Sequence, residues 1–299
     1  MKTRSLISFD WAMKRLLRNK ANFEVLEGFL FIVLLLMFCM NMAAQKTGMQ
    51  SLAMKHGENY NYDIKFKWGF STTHAGDATF NYKADNSVTG ATSQLQLSYK
   101  SSKFFDAFFR MRDTLTGYYN DNNTLIYSFA QANQGNYRAI DKLTFFYETE
   151  RTNIKSYRFN ITRGVEKFDT LLTTVGEVAD MLGVFYFIRG LNRKLLQTGD
   201  IFPITVAVGK DLVKVQFIYQ NQAIVEYDNA KYNTHYFKID IFDDAFESTK
   251  SAAEVWISDD GNFLPVKLRT KLKLGYAEVY YKNSSGLAHP FSSRIANSR

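Results

Sequence analysis

Beyond residue 45 the apolar and polar side chains alternate with a period of two. Tyr62, Ile64, Phe66 and Trp68 fall on one side, and Asp63, Lys65 and Lys67 on the other. Successive side chains of a strand point to opposite faces, so this pattern predicts a strand with one buried face. The alternation returns with Val213, Val215, Phe217 and Tyr219, and again with Val266, Leu268, Thr270, Leu272 and Leu274. Between such runs stand Asp85-Asn86, Asn120-Asp121-Asn122-Asn123, Asn133-Gln134-Gly135-Asn136, Asp228-Asn229 and Asp259-Asp260-Gly261-Asn262. Asp, Asn and Gly form reverse turns and accept positive φ, so consecutive strands are expected to be antiparallel neighbours.

One segment has a different period. Val175, Val178, Ala179, Leu182, Phe185 and Tyr186 recur at helical spacing, Thr174-x-x-Glu177 has the form of a capping box, and Gly190 offers a stop. A long helix is predicted over 175–191, and a shorter one over 102–109. The predicted fold class is all-β and mainly antiparallel. It is one large curved sheet or open β-barrel of about twelve strands, with the long helix packed against it. No repeat or low-complexity linker divides the body, so 45–299 is read as a single domain.

The apolar run Phe29 to Met40 precedes this body without a charge. It is too short to span about 30 Å of hydrocarbon comfortably at 1.5 Å per residue, and it fits the apolar region of an export signal. Ala43 and Ala44 supply small residues for cleavage, whereas Met42 is large for its place. Residues 29–44 are therefore read as a signal peptide, with an uncleaved membrane anchor as the alternative. Cys39 would suit a lipoprotein, but Phe38 occupies a position that calls for Gly or Ala. Ahead of the run, Ile7 to Leu30 resembles the opening of the recombination-promoting nuclease and transposase-related proteins of the PD-(D/E)XK superfamily. Nothing downstream supplies that family's catalytic core, so residues 1–28 are set apart as an extension of foreign character.

Composition sharpens this picture. The 26 Phe, 18 Tyr and 3 Trp provide more than enough area to order a core, and a lone Cys excludes a disulfide framework. The chain carries 37 basic and 29 acidic side chains, a formal +8. Residues 1–28 hold six of those bases and three of those acids, which leaves the exported part at +5.

Candidate chemistry is sparse. The histidines His56, His74, His235 and His289 show no metal-ligand spacing, and no nucleophile or phosphate-binding motif occurs. The pairs Asp243-Asp244 and Asp259-Asp260 follow strands and read as turn residues. No catalytic residue, metal or cofactor is therefore expected. The sharpest local feature is Lys267, Arg269, Lys271 and Lys273, which alternate with apolar residues and project from one face at intervals of about 6.6 Å. Such a row suits the phosphates or carboxylates of an anionic lipid or glycan, and it also suits a solvated sheet face. Neighbouring aromatics such as Phe185-Tyr186 cannot all face one core, and they are candidates to line a cup closed by the helix.

Several marks stand in order along the body: Gly57-Glu58, Tyr62, Trp68, Ala75-Gly76, Met111-Arg-Asp-Thr114, Asp180-Met-Leu182, Val255-Trp-Ile-Ser-Asp-Asp260 and Leu264-Pro-Val266. Together they resemble the exported bacterial family known as domain of unknown function 3108, over about 55–288. The resemblance implies a signal-bearing envelope protein with a partly closed antiparallel β fold, and no activity. The expected function is that of a non-catalytic protein of the periplasm or cell envelope. Its site would be Lys267, Arg269, Lys271, Lys273, Phe185 and Tyr186, and its partner a lipid or glycan, not nucleic acid. Membrane contact is expected only through an uncleaved apolar segment. The alternative is a polysaccharide-acting enzyme with a dispersed carboxylate site.

Overall fold

The computed structural model describes residues 54–242, 249–272 and 275–296. The predicted signal, the extension before it, Asp243-Asp244 and Lys273 lie outside the described residues. The period-two runs form β1 (Glu58–Trp68), β2 (Ser71–Ala84), β3 (Ser93–Ser101), β4 (Arg112–Tyr119), β5 (Leu125–Gln134), β6 (Tyr137–Tyr147), β7 (Thr152–Asn160) and β8 (Val165–Thr174). They continue as β9 (Val178–Ala179), β10 (Ile201–Val208), β11 (Asp211–Tyr227), β12 (Ala230–Phe242), β13 (Thr249–Ser258), β14 (Pro265–Leu272), β15 (Gly275–Ser285) and β16 (Arg294–Ile295).

All sixteen belong to one sheet. Its order runs β8 back to β1, then β15 back to β9, with β16 added beside β12. The fold is thus two antiparallel meanders joined where β1 meets β15, with Asp63 opposite Tyr280 and Lys67 opposite Tyr276. Gly275 permits this seam to close: its φ is +93°, and a Cβ there would lie 2.0 Å from the Lys67 carbonyl oxygen. The free edges approach each other without a hydrogen-bonded ladder. Instead β8 touches β11, and the Ser156 hydroxyl donates to the Gly209 carbonyl at 2.5 Å. The result is an open β-barrel. Its edge strand β8 exposes Val165 and Leu171 but interleaves them with Glu166, Lys167 and Asp169, which discourages pairing with another chain.

The turns fall where Asp, Asn and Gly cluster. Asn123, Asp228 and Asn229 take positive φ, as do Gly135 and Gly90. By register, the β1–β2, β5–β6, β7–β8 and β10–β11 turns share one end of the barrel with the β3–β4 connection. The β2–β3, β4–β5 and β6–β7 turns lie at the other end.

The predicted long helix is shorter than its apolar period suggested. Val178 and Ala179 pair in parallel with β10, and only Gly183–Arg189 is helical, here α2. Asp180 explains the late start. Its Oδ1 accepts from the Gly183 amide at 2.6 Å, and its Oδ2 accepts from the Ser128 hydroxyl of β5. The predicted capping box is not formed: Thr174 ends β8, and the Glu177 carbonyl accepts from the Thr205 amide. The second predicted helix is a single turn, α1 (Lys103–Asp106), with Ser102 as its N-cap. Helix α2 lies inside the barrel, with Val184, Phe185, Tyr186 and Ile188 buried against the inner faces of the strands.

Candidate functional site

The outer face of β14 carries the predicted cationic row, and its neighbours decide what each cation can do. The Lys267 ammonium lies between two rings, 4.9 Å from the Trp256 centroid and 5.3 Å from that of Tyr280, with a Glu278 carboxylate oxygen at 3.7 Å. Burial there pushes its pKa down, against the pull of Glu278. The stack continues in both directions. Trp256 packs on Tyr236 at 4.8 Å, and Tyr280 packs on Tyr227 at 4.1 Å, each pair within 15° of parallel. The Tyr236 hydroxyl donates to Glu254, the Tyr227 hydroxyl donates to Asp63, and the Lys65 ammonium covers the other side of Tyr227. Lys267 is thereby consumed by a cross-strand ladder of rings and charges.

Arg269 is half-buried above the Tyr276 ring at 4.0 Å, with Glu254 at 3.6 Å and Glu278 at 3.7 Å. Lys271 differs. It is exposed and stands opposite Tyr276, which on its other side stands opposite the exposed Lys67. Neither lysine forms an ion pair with a described residue. Lys67, Tyr276 and Lys271 therefore make a cation–ring–cation row, backed by Arg269, at the end of the barrel where the β1–β2 turn lies.

Phe185 and Tyr186 are on the opposite side of the sheet. Phe185 stacks on Phe80 at 4.7 Å, and Tyr186 stacks on Tyr119 at 4.0 Å and 12°. Burial drives the Tyr119 and Tyr186 phenols well above their usual pKa. These rings fill the interior with their own packing. The structure does not bring the aromatic and cationic halves of the predicted site together, because an inner face and an outer face cannot meet one ligand.

The interior charges are tied down as well. Glu58, on β1, pairs with Arg189 of α2 at 2.8 Å and accepts from the amides of Lys55 and Ala288. Asp260 accepts from the Ser258 hydroxyl and the amides of Asn262 and Ser293, and Asn262 donates to the carbonyls of His289 and Pro290. The Ser258 to Asn262 turn thus pins the C-terminal segment across the barrel mouth. Asp113 accepts from the Asn133 amide and from Gln134. Burial raises its pKa, as it raises that of Asp180.

Two histidine clusters escaped the sequence reading, since their members are far apart in the chain. His235 is buried between the Asp259 carboxylate at 3.0 Å and the Tyr219 hydroxyl at 3.3 Å, and Arg193 reaches the same carboxylate at 2.7 Å. Burial disfavours the Asp259 charge, but the hydrogen bonds from His235 and Arg193 outweigh it and hold the carboxyl below the usual range. His74, Asp63 and Asp77 place ligand atoms within 4.8 Å of one another. The Lys282 ammonium, 3.2 Å from Asp77 and 3.7 Å from Asp63, supplies the positive charge at that group. Lys67 and Tyr276 were also missed. Their outward phase was legible, but their place beside Lys271 depends on β15 lying between β1 and β14, which no local pattern encodes.

The fold has counterparts. It is similar to a β-barrel-like protein of domain of unknown function DUF1849 from Brucella abortus, with a TM-score of 0.50, 10% identity, and coverage of 78% of this chain and 98% of that one. A Bacteroides fragilis protein of YmcC-like fold matches with a TM-score of 0.32 and 6% identity over 79% of this chain and 99% of its own. No curated protein matches the sequence. A family model described as "Protein of unknown function (DUF3108)" matches residues 61–282. The match begins well after residues 7–30, so the resemblance of that segment to nuclease-related proteins is without support.

Proposed function

The chain belongs to that family of unknown function, and from this premise we propose that it is an exported cell-envelope protein that binds an anionic or amphipathic envelope component, a lipid or glycan, without transforming it. The observation that carries this reading is the row Lys67, Tyr276 and Lys271. Two exposed ammonium groups flank a ring, on a sheet surface where the neighbouring Lys267 and Arg269 are already compensated by Glu278 and Glu254. An ammonium is a strongly hydrated point charge that suits phosphate or carboxylate oxygens, and the ring between offers apolar contact to a sugar face or an acyl stem. The assignment of Lys271 as a ligand residue is kept, with Arg269 as its support. Lys267 is read as structural.

The non-catalytic part rests on what the buried acids do. Glu58, Asp113, Asp180 and Asp260 each spend their oxygens on hydrogen bonds that hold the barrel together. Asp259, the carboxylate nearest a histidine, is shared between His235, Arg193 and Gln222. General acid–base work asks for a carboxylate or imidazole facing a substrate proton, and these groups face partners within the chain.

Native mass spectrometry of the protein recovered from its host's envelope tests the reading. The wild type is expected to carry a lipid or glycan adduct, and Lys67→Glu/Lys271→Glu to carry at least about tenfold less, since each cation near an anionic surface contributes about 1 kcal/mol. An adduct equally abundant on both, or none on the wild type, contradicts it.

A further inference from the structure

Of all the described side chains, Phe70 is the most conspicuous large apolar one on the surface. It sits at the tip of the β1–β2 hairpin with a relative exposure of 111%, as open as the residue can be. Burying no part of a phenylalanine ring in the fold leaves its apolar area available to another phase. The surroundings continue the theme. Trp68 closes the hairpin opposite Ser71, and the α1 turn is pinned beside it, with the Ser102 hydroxyl donating to the His74 carbonyl and the Ser102 amide to the Ala75 carbonyl. From the barrel interior outward, Phe66 touches Phe105, Phe105 touches Phe104, and Phe104, 40% exposed, touches Phe108. An aromatic crest thus rises from one end of the barrel.

Exposed cations stand beside the crest. At the crest end the described connecting segments contribute Lys103, Arg110, Arg163 and Lys210 against Asp106, which is held by Arg112 at 2.5 Å, while residues 243–248 of the β12–β13 connection, outside the described residues, carry Asp243, Asp244 and Glu247 in sequence. Lys67 and Lys271 stand just behind the crest. At the opposite end the β2–β3, β4–β5 and β6–β7 turns contribute Asp85, Asp121, Glu148 and Glu150 against Arg151. The exposed Lys67, Lys103, Arg110 and Lys271 beside the crest favour its approach to a negative surface. Aromatic rings favour the headgroup level of a bilayer, and basic side chains around them are attracted by anionic lipids.

We propose that the β1–β2 hairpin tip, Trp68 to Phe70, with Phe104 of α1 beside it, docks into the interface of a bilayer containing anionic lipid. This rests on the envelope-binding reading and deepens it, naming the bilayer surface as the component met by this end of the barrel. It adds a second membrane contact to any made by the apolar segment 29–40. The Lys67 and Lys271 ammonium groups then lie at headgroup depth, and the β2–β3, β4–β5 and β6–β7 turns face away from the membrane.

The test uses the chain as recovered from its host's envelope, carrying Trp11→Phe and Trp256→Phe so that Trp68 is the fluorophore. The probe is vesicles of equal parts phosphatidylglycerol and phosphatidylcholine containing brominated acyl chains. Trp68 is expected to be quenched, less so in high salt, and not by vesicles of phosphatidylcholine alone. Phe70→Asp, at a site with no native packing to lose, is expected to weaken vesicle partitioning at least about tenfold, the order expected for removing one buried phenylalanine. Lys194→Glu at the opposite end should leave it unchanged. Flotation of the same chain without the tryptophan substitutions repeats the Phe70→Asp comparison independently of any effect of losing Trp256. An unquenched Trp68, or equal partitioning of wild type and Phe70→Asp, overturns the inference. So does a dimer that Phe70→Asp dissociates while Trp68 stays unquenched, since a second copy would then be the occupant. If docking fails while the lipid or glycan adduct persists in native mass spectrometry, this inference falls and the envelope-binding reading stands. If the adduct is also absent, both fall.

Discussion

Arg189 and Glu58 pair at 2.8 Å inside the barrel, with 1% and 0% of their side chains exposed. The guanidinium also donates to the Tyr60 hydroxyl at 2.6 Å and the Asn262 carbonyl at 2.8 Å. One side chain thereby joins α2, β1 and the β13–β14 turn. Two charges withdrawn from water are stable only when paired and hydrogen-bonded, so removing either partner strands the other. Arg189→Met is expected to destabilise the protein by about 3–5 kcal/mol. Glu58→Gln, which keeps the shape, leaves the Arg189 charge buried and should also be strongly destabilising. Urea denaturation followed by near-ultraviolet circular dichroism measures both. A shift in midpoint no larger than that of a surface substitution would show that the pair does not hold the interior together.

Phe185 tests whether the interior is packed or open. It is buried against Phe80 and Tyr60, and Phe185→Ala is expected to cost about 3–5 kcal/mol through lost burial and the cavity left behind. The truncated protein should regain part of that loss on adding a small apolar molecule such as benzene, since an apolar cavity of this kind stays dry and accepts one. The wild type should gain nothing. Equal stabilisation of both by benzene would mean that an interior cup exists already.

His235 gives the fold an acid-sensitive element. Burial lowers its pKa, more than the hydrogen bond to Asp259 raises it, so the folded protein holds the ring neutral. With Asp259 ionised, the Nε2 proton points to the carboxylate and Nδ1 accepts from Tyr219. Between the folded pKa and the unfolded value of about 6.5, the unfolded chain binds more protons, so stability rises with pH through that window. The contribution is complete above about pH 6.5 and is lost as pH falls through the folded pKa. Urea midpoints at acidic and neutral pH should diverge in the wild type and converge in His235→Gln. An identical pH slope in the two proteins would remove His235 from this role.

Much of the architecture was legible because the sheet has one wet face. Tyr60, Tyr62 and Ile64 are buried while Asn59, Asn61 and Asp63 are not, and that difference is written in the alternation itself. The helix was over-extended for a physical reason. Val178 and Ala179 are apolar whether they face a helix partner or β10, so periodicity could not separate a buried two-residue strand from a helical turn. The site was half legible. The outward phase of Lys267, Arg269 and Lys271 was right, but which of them remains free is decided by Trp256, Tyr280, Glu254 and Glu278. Those residues reach β14 only through the order of the sheet. Phe185 and Tyr186 needed the same tertiary knowledge, because an aromatic pair reads alike whether it lines a cup or fills one.

Lysine acetylation of the protein in its native envelope, compared with the same protein after extraction, tests most directly the claim that the Lys67–Tyr276–Lys271 row meets an envelope component. Lys67 and Lys271 are predicted to be protected in the envelope and to react after extraction, while Lys83 and Lys194 at the other end react alike in both states. Equal reactivity of Lys67 and Lys271 before and after extraction would contradict the account.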